Sequence, residues 1–232
     1  VSRQRLHQLG IAVAAVLFIA GAVIAVTQSG GEDGAGVEGG AKAAAVFTGV
    51  PQDGKVLGRA SAPVILTEFA DLQCPFCARF ASGTLPGLVR RYVRTGRVRM
   101  ELRVGRFLGP DSDLAARAAA AAALQDKLWQ FAEVFYRNQG AENSGYVNEE
   151  FLRAVAEAVP GMDADRLIRD LGAPRVHREV AAVDARAQHL GVSGTPTFLL
   201  GRRSDAMRKL GLAAVEAASF TDSLDRLIGA ER

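Results

Sequence analysis

The sequence predicts an α/β protein, with helices laid against a sheet, and three observations carry that class. Pro63–Phe69 (PVILTEF) is an apolar run of strand length, rich in β-branched and aromatic residues, as expected for a strand buried on both faces. Phe80, Thr84, Leu88 and Tyr92 then recur every four residues, which marks one face of a helix. Val98–Val104 alternates in polarity and reads as a second strand.

In chain order, the first feature is Leu9–Val26, 18 residues without charge or proline, just long enough to cross a hydrocarbon core as a helix. Arg3 and Arg5 precede it, and Glu32 and Asp33 follow. That asymmetry predicts a cytoplasmic stretch at 1–8, a membrane anchor at 9–27 and an extracytoplasmic remainder. A cleavable signal peptide competes, since small residues near Ala22 and Ala25 could present a cleavage site. The length of the apolar run favours a retained single-pass anchor in the cell membrane. Residues 28–45 are rich in Gly and Ala and lack an apolar period, so they read as a flexible linker. The folded body is then expected over 46–232.

Within the body, the helix after the first strand closes at Gly96, with a kink expected at Gly83 and Pro86. After the second strand comes a helical block. The alanine run Ala118–Ala123 leads into Leu124, Leu128, Phe131 and Phe135 as one long stretch. Asn148 caps a helix holding Phe151, Leu152 and Val155, and Asp163 starts a short one that ends at Gly172 and Pro174. Val176, Val180, Val183, Ala187 and Leu190 form the stripe of a further helix, ended by Gly191. Pro196–Leu200 and Ala206–Ala213 read as strands, and Phe220–Ile228 as a final amphipathic helix. Trp129 belongs with the core of the helical block, and His177 and His189 with the solvated surface.

Composition narrows the function. With 49% hydrophobic and 23% charged residues the chain is too apolar to be disordered. Outside the first 27 residues, 26 basic residues face 25 acidic ones, which argues against nucleic-acid binding. Two cysteines exclude a disulfide-rich scaffold, and they form one Cys74-Pro75-Phe76-Cys77 pair. A zinc site would need two more ligands, and the three histidines are poorly placed: His7 precedes the anchor, and His177 and His189 lie 12 residues apart. No metal and no cofactor beyond the cysteine pair itself is expected. As a staple the pair would close too short a loop to stabilise much. Redox exchange fits best. Cys74 falls where a strand meets a helix, so unpaired N–H groups and the helix dipole favour its thiolate. Pro75 suits the first helical turn, and Cys77, one turn on, can resolve a mixed disulfide.

Glu68-Phe69-Ala70-Asp71-Leu72-Gln73-Cys74-Pro75-Phe76-Cys77, with the distant Gly194-Thr195-Pro196-Thr197, resembles the DsbA-like thiol:disulfide oxidoreductases of the thioredoxin superfamily, in particular their membrane-tethered bacterial branch. The similarity runs from about Gly58 to the C-terminus. It implies a thioredoxin fold with a helical insertion at about 107–173, after which the helix from Arg175 to Leu190 returns to the core. It also implies that Cys74 is the exposed nucleophile and Cys77 the resolving cysteine. By the same resemblance Pro196 is a cis-proline that docks substrate backbone beside Thr195, and Glu68 is a buried acid that relays a proton to or from Cys77. Asp71 and Gln73 are expected to shape the loop. Phe76 departs from the strongly oxidising member of the family, which has a thiolate-stabilising histidine there, and predicts a less oxidising pair.

The function expected is the introduction of disulfides into exported proteins, with a quinone-linked membrane partner as reoxidant by family analogy. A reductase or isomerase of exported disulfides would use the same chemistry. A copper relay or tethered chaperone would be a non-enzymatic alternative.

Overall fold

The computed structural model describes residues 36–203, 205–211 and 215–229. The expected cytoplasmic stretch, the anchor at 9–27 and the start of the linker lie outside the described residues. Among the described residues no helix is long and apolar enough to cross a membrane.

The linker expected through Ala45 is shorter than its composition suggests. Gly40–Phe47 forms a helix, α1, with Ala43 and Phe47 buried. Small residues give this helix a close seat: a Cβ on Gly40 would stand 1.9 Å from the Ala158 carbonyl oxygen. Phe47 packs on the Trp129 ring at 6.1 Å, and Asn138 exchanges hydrogen bonds with the Glu38 main chain at 3.0 and 2.9 Å.

Among the described residues the sheet has six strands in the order β1-β2-β4-β3-β5-β6. The strands are β1 (Gln52–Asp53), β2 (Val56–Leu57), β3 (Val64–Ala70), β4 (Val98–Val104), β5 (Thr197–Arg202) and β6 (Arg208–Lys209). Among the described strands only β3 and β4 are parallel, with Val64 opposite Val98 and Ala70 opposite Val104. A parallel pair needs a crossover, supplied by the helical run over 75–93, α2. The central strands stand where the sequence predicts them. The expected strand over Ala206–Ala213 is shorter, reduced to Arg208–Lys209, and 212–214 lie outside the described residues. The β1–β2 hairpin, with two residues to a strand, was too short to leave a period.

The kink expected in α2 takes the form of two π turns, Phe80–Thr84 and Val89–Val93, on either side of Leu85–Leu88. Pro86 has no N–H to donate, and the Leu85 N–H reaches back five residues to Phe80. Under the helix, Phe80 packs on Phe198 of β5 at 4.7 Å and on Phe220 at 5.4 Å. Phe220 belongs to the final helix α8 (Ala217–Gly229). This aromatic triad fixes α2, which begins beside Cys74, against β5, which begins beside Pro196.

The insertion between β4 and the returning helix holds α3 (Pro110–Ala123), α4 (Leu128–Arg137), α5 (Glu149–Glu157) and α6 (Ala164–Asp170). The single long stretch expected through Ala118–Phe135 is two helices, broken at Asp126, whose φ is 55°. Ala118–Ala122 are buried, and small side chains let α3 lie close to its neighbours. The Asn148 and Asp163 side chains accept from the N–H groups of Phe151 and Arg166 at 2.9 and 2.8 Å, as helix caps. Helix α7 (Pro174–His189) then returns to the sheet with Val176, Val180, Val183 and Ala187 buried.

Candidate active site

Cys74 stands between β3 and α2 and is the N-cap of that helix; Cys77 lies within its first turn. The Cys77 N–H points at Cys74 Sγ at 3.4 Å, and the Cys74 sulfur, when protonated, donates to the Thr195 carbonyl oxygen 3.2 Å away. Pro75 sits where its missing N–H costs nothing. Both cysteines are in the reduced form. Cys74 was expected to be exposed but keeps only 3% of its surface, because the Thr195–Pro196 loop closes on its sulfur; Cys77 keeps none.

The two thiols are set far apart in acidity. Cys74 is lowered to about 6, chiefly by a hydrogen bond from the Cys77 side chain, opposed by burial and helped by the Thr195 side chain and the N–H groups of Cys77 and Phe76. Cys77 is pushed well above the ordinary thiol value, first by burial and then by donating to Cys74. Glu68, buried in β3 opposite Phe198 and Leu102, is raised to about 8 by burial and then by the charge of Cys74. At neutral pH the site therefore holds one thiolate, one thiol and a protonated carboxyl.

The Thr195–Pro196 peptide is cis. The Thr195 carbonyl and side chain both face the Cys74 sulfur. Phe76 is 53% exposed, the one large exposed apolar side chain among the described residues, with the Arg79 guanidinium 5.2 Å from its ring centre. No charged donor comes from the dipeptide.

Asp71 and Gln73 shape the loop, as expected, and both bind the insertion. The Asp71 carboxylate accepts the N–H groups of Gln73, Phe107 and Leu108 at 2.9, 2.8 and 3.0 Å. The Gln73 amide donates to Ser112 at 2.9 Å and to Asn143 at 3.2 Å, and accepts from the Asn143 N–H at 2.8 Å. Gln139 donates to the carbonyls of Leu72 and Cys74 at 2.6 and 3.2 Å. Sequence reasoning missed Ser112, Gln139 and Asn143, because partners 39 to 70 residues away share no local pattern. His177 and His189 are exposed, and Trp129 is buried, donating to the Lys55 carbonyl at 3.2 Å.

The sequence model of the family described as thioredoxin matches residues 51–209. The chain belongs to the thioredoxin family. A probable disulfide bond formation protein D of Bacillus cereus is 34% identical over 144 residues, 61% of this chain and 67% of that one. A thioredoxin-like oxidoreductase from Silicibacter pomeroyi superposes with a TM-score of 0.60 at 33% identity, covering 79% of this chain and 96% of its own. Oxidised BdbD from Bacillus subtilis has a TM-score of 0.66 over 78% of this chain and 97% of its own, and at 22% identity shows the shared fold alone. The chain spans about two thirds of the length of the curated disulfide-formation relatives it matches. Within the family it is a DsbA-like thiol:disulfide oxidoreductase, and the helical insertion between β4 and α7 is the DsbA-like elaboration of the fold.

Proposed function

We propose that the protein introduces disulfides into exported proteins through the Cys74–Cys77 pair, from a membrane-anchored position outside the cytoplasm. The observation that carries the exchange chemistry is Cys74 Sγ at the start of α2, 3.4 Å from the Cys77 N–H, and the direction follows the relatives named for disulfide bond formation. A substrate thiolate attacks Cys74 Sγ of the disulfide; the S–S bond breaks and Cys77 leaves with the electron pair. Glu68, protonated at neutral pH, supplies the proton that Cys77 takes up. A second substrate thiolate then attacks the substrate sulfur of the mixed disulfide, forming the product disulfide and expelling Cys74 as a thiolate that needs no proton to leave. Two electrons pass from substrate to enzyme, and a quinone-linked membrane partner takes them on. Pro196 and Thr195 line the substrate backbone beside the sulfur. The apolar segment at 9–27 and its flanking charges support the anchored, extracytoplasmic placement.

Two measurements test this. The oxidised protein should accelerate refolding of reduced ribonuclease, with Cys74→Ala inactive. Thiol trapping in the cell envelope should find the pair mostly as disulfide; a pair held mostly as dithiol would reverse the direction to a reductase.

A further inference from the structure

Every residue of the 71–74 segment is tied to the helical insertion. Asp71 is held through Phe107 and Leu108, and Gln73 through Ser112 and Asn143. Leu72 and Cys74 are held by one side chain, the Gln139 amide, two residues beyond the end of α4. The Cys74 carbonyl already accepts the Ala78 N–H at 3.1 Å, so the Gln139 amide is its second donor. These carbonyls flank Gln73, whose own side chain is held by Ser112 and Asn143. The main chain entering Cys74 is thus fixed at its carbonyls and at a side chain at once.

We propose that Gln139 is a positioning residue for the Cys74 nucleophile: by bridging the Leu72 and Cys74 carbonyls, it fixes the backbone from which Cys74 Sγ reaches the Cys77 N–H and the Thr195 loop. This rests on the proposed function, in which Cys74 is the sulfur that substrate attacks and later expels. The geometry at stake is narrow. Cys74 Sγ lies 3.4 Å from the Cys77 N–H, and thiolate stabilisation through that contact falls steeply with distance and angle. The Gln139 amide makes its hydrogen bonds to main-chain carbonyls, so it acts on the thiolate chiefly through the backbone it holds. Gln139 is half-buried, so an unbranched apolar replacement of similar length is tolerated by its surroundings.

The test is Gln139→Met in the reduced full-length protein, with Gln139→Ala alongside. Thiolate absorbance near 240 nm gives the Cys74 titration, and iodoacetamide alkylation at pH 6 gives its reactivity. Loss of the bridge should move the titration upward from about 6 by roughly half to one unit, slowing alkylation at pH 6 about two- to fivefold. Circular dichroism should stay unchanged. A titration that stays at the wild-type position in either folded variant overturns the proposal, whatever happens to thermal stability, since a merely structural glutamine would not move it. Should Gln139→Met fail to fold, Gln139→Ala decides. Ribonuclease oxidation by the wild type is read separately, so failure of the oxidase assignment and failure of the positioning role are distinguishable.

Discussion

The acidity of Cys74 fixes how oxidising the pair can be, and Phe76→His tests that link. In the dithiol form the thiolate stabilises the reduced state only as far as its pKa falls below the pH. A fall from 9.0 to about 6 favours the dithiol at pH 7 about elevenfold, about 1.4 kcal/mol, or about 30 mV for two electrons. Thioredoxin, with a cysteine near 7, lies at about −270 mV; DsbA, near 3.5, lies at about −120 mV. Scaling by thiolate stabilisation alone from these two references places this pair at roughly −250 to −190 mV. Nothing ionised in the dipeptide contributes, because Phe76 is an exposed ring with neither donor nor charge. A histidine there, protonated beside the thiolate, should lower Cys74 by about one unit and raise the potential by about 30 mV. Equilibration with glutathione buffers, followed by thiol trapping, measures both proteins. A wild-type potential as high as about −120 mV would refute the reasoning. So would a variant whose Cys74 becomes more acidic while its potential stays where it was.

Three further perturbations follow from the same geometry. Cys77→Ala removes the largest support of the Cys74 thiolate, so its titration should rise above about 6, and mixed disulfides with substrate should accumulate on non-reducing gels. Glu68 is raised from 4.5 to about 8, so its stabilising contribution is complete below pH 4.5 and is lost as pH rises through 8. In the dithiol form Cys74 opposes this, since its lowered pKa gives stability above 9.0 that is lost as pH falls through 6. Urea unfolding of the disulfide form, where neither cysteine titrates and burial alone raises Glu68, should therefore show stability falling by up to a few kcal/mol as pH rises from about 4.5 towards 8, and Glu68→Gln should flatten that slope. Asp71→Asn turns an amide toward three N–H donors and should cost about 1–3 kcal/mol in urea unfolding, with an unchanged fold by circular dichroism.

What the sequence disclosed divides along a physical line. The cysteine pair, its strand-to-helix junction, the β3–α2–β4 unit and the caps at Asn148 and Asp163 all arise from interactions within a few residues, so composition and period report them. The break at Asp126 escaped because leucines and phenylalanines on both sides kept a helical spacing across it, and only a φ of 55° divides them. Helix α1 escaped because its buried face is built from alanine and one phenylalanine, and the resemblance to a tether lay in its glycines. The environment of Cys74 is the deeper case. Its acidity depends on Cys77, which the motif contains, and on Thr195, 121 residues away along the chain. The carbonyl on its own residue is held by Gln139, 65 residues away, from an insertion that carries no cysteine. A motif can therefore name the reacting sulfur without fixing its reactivity. Cys74 meets the Thr195 loop through its sulfur and the insertion through its carbonyl. The same Cys-Pro-Phe-Cys placed on a core without that insertion would keep its chemistry and lose the second set of constraints, and the potential would change with them.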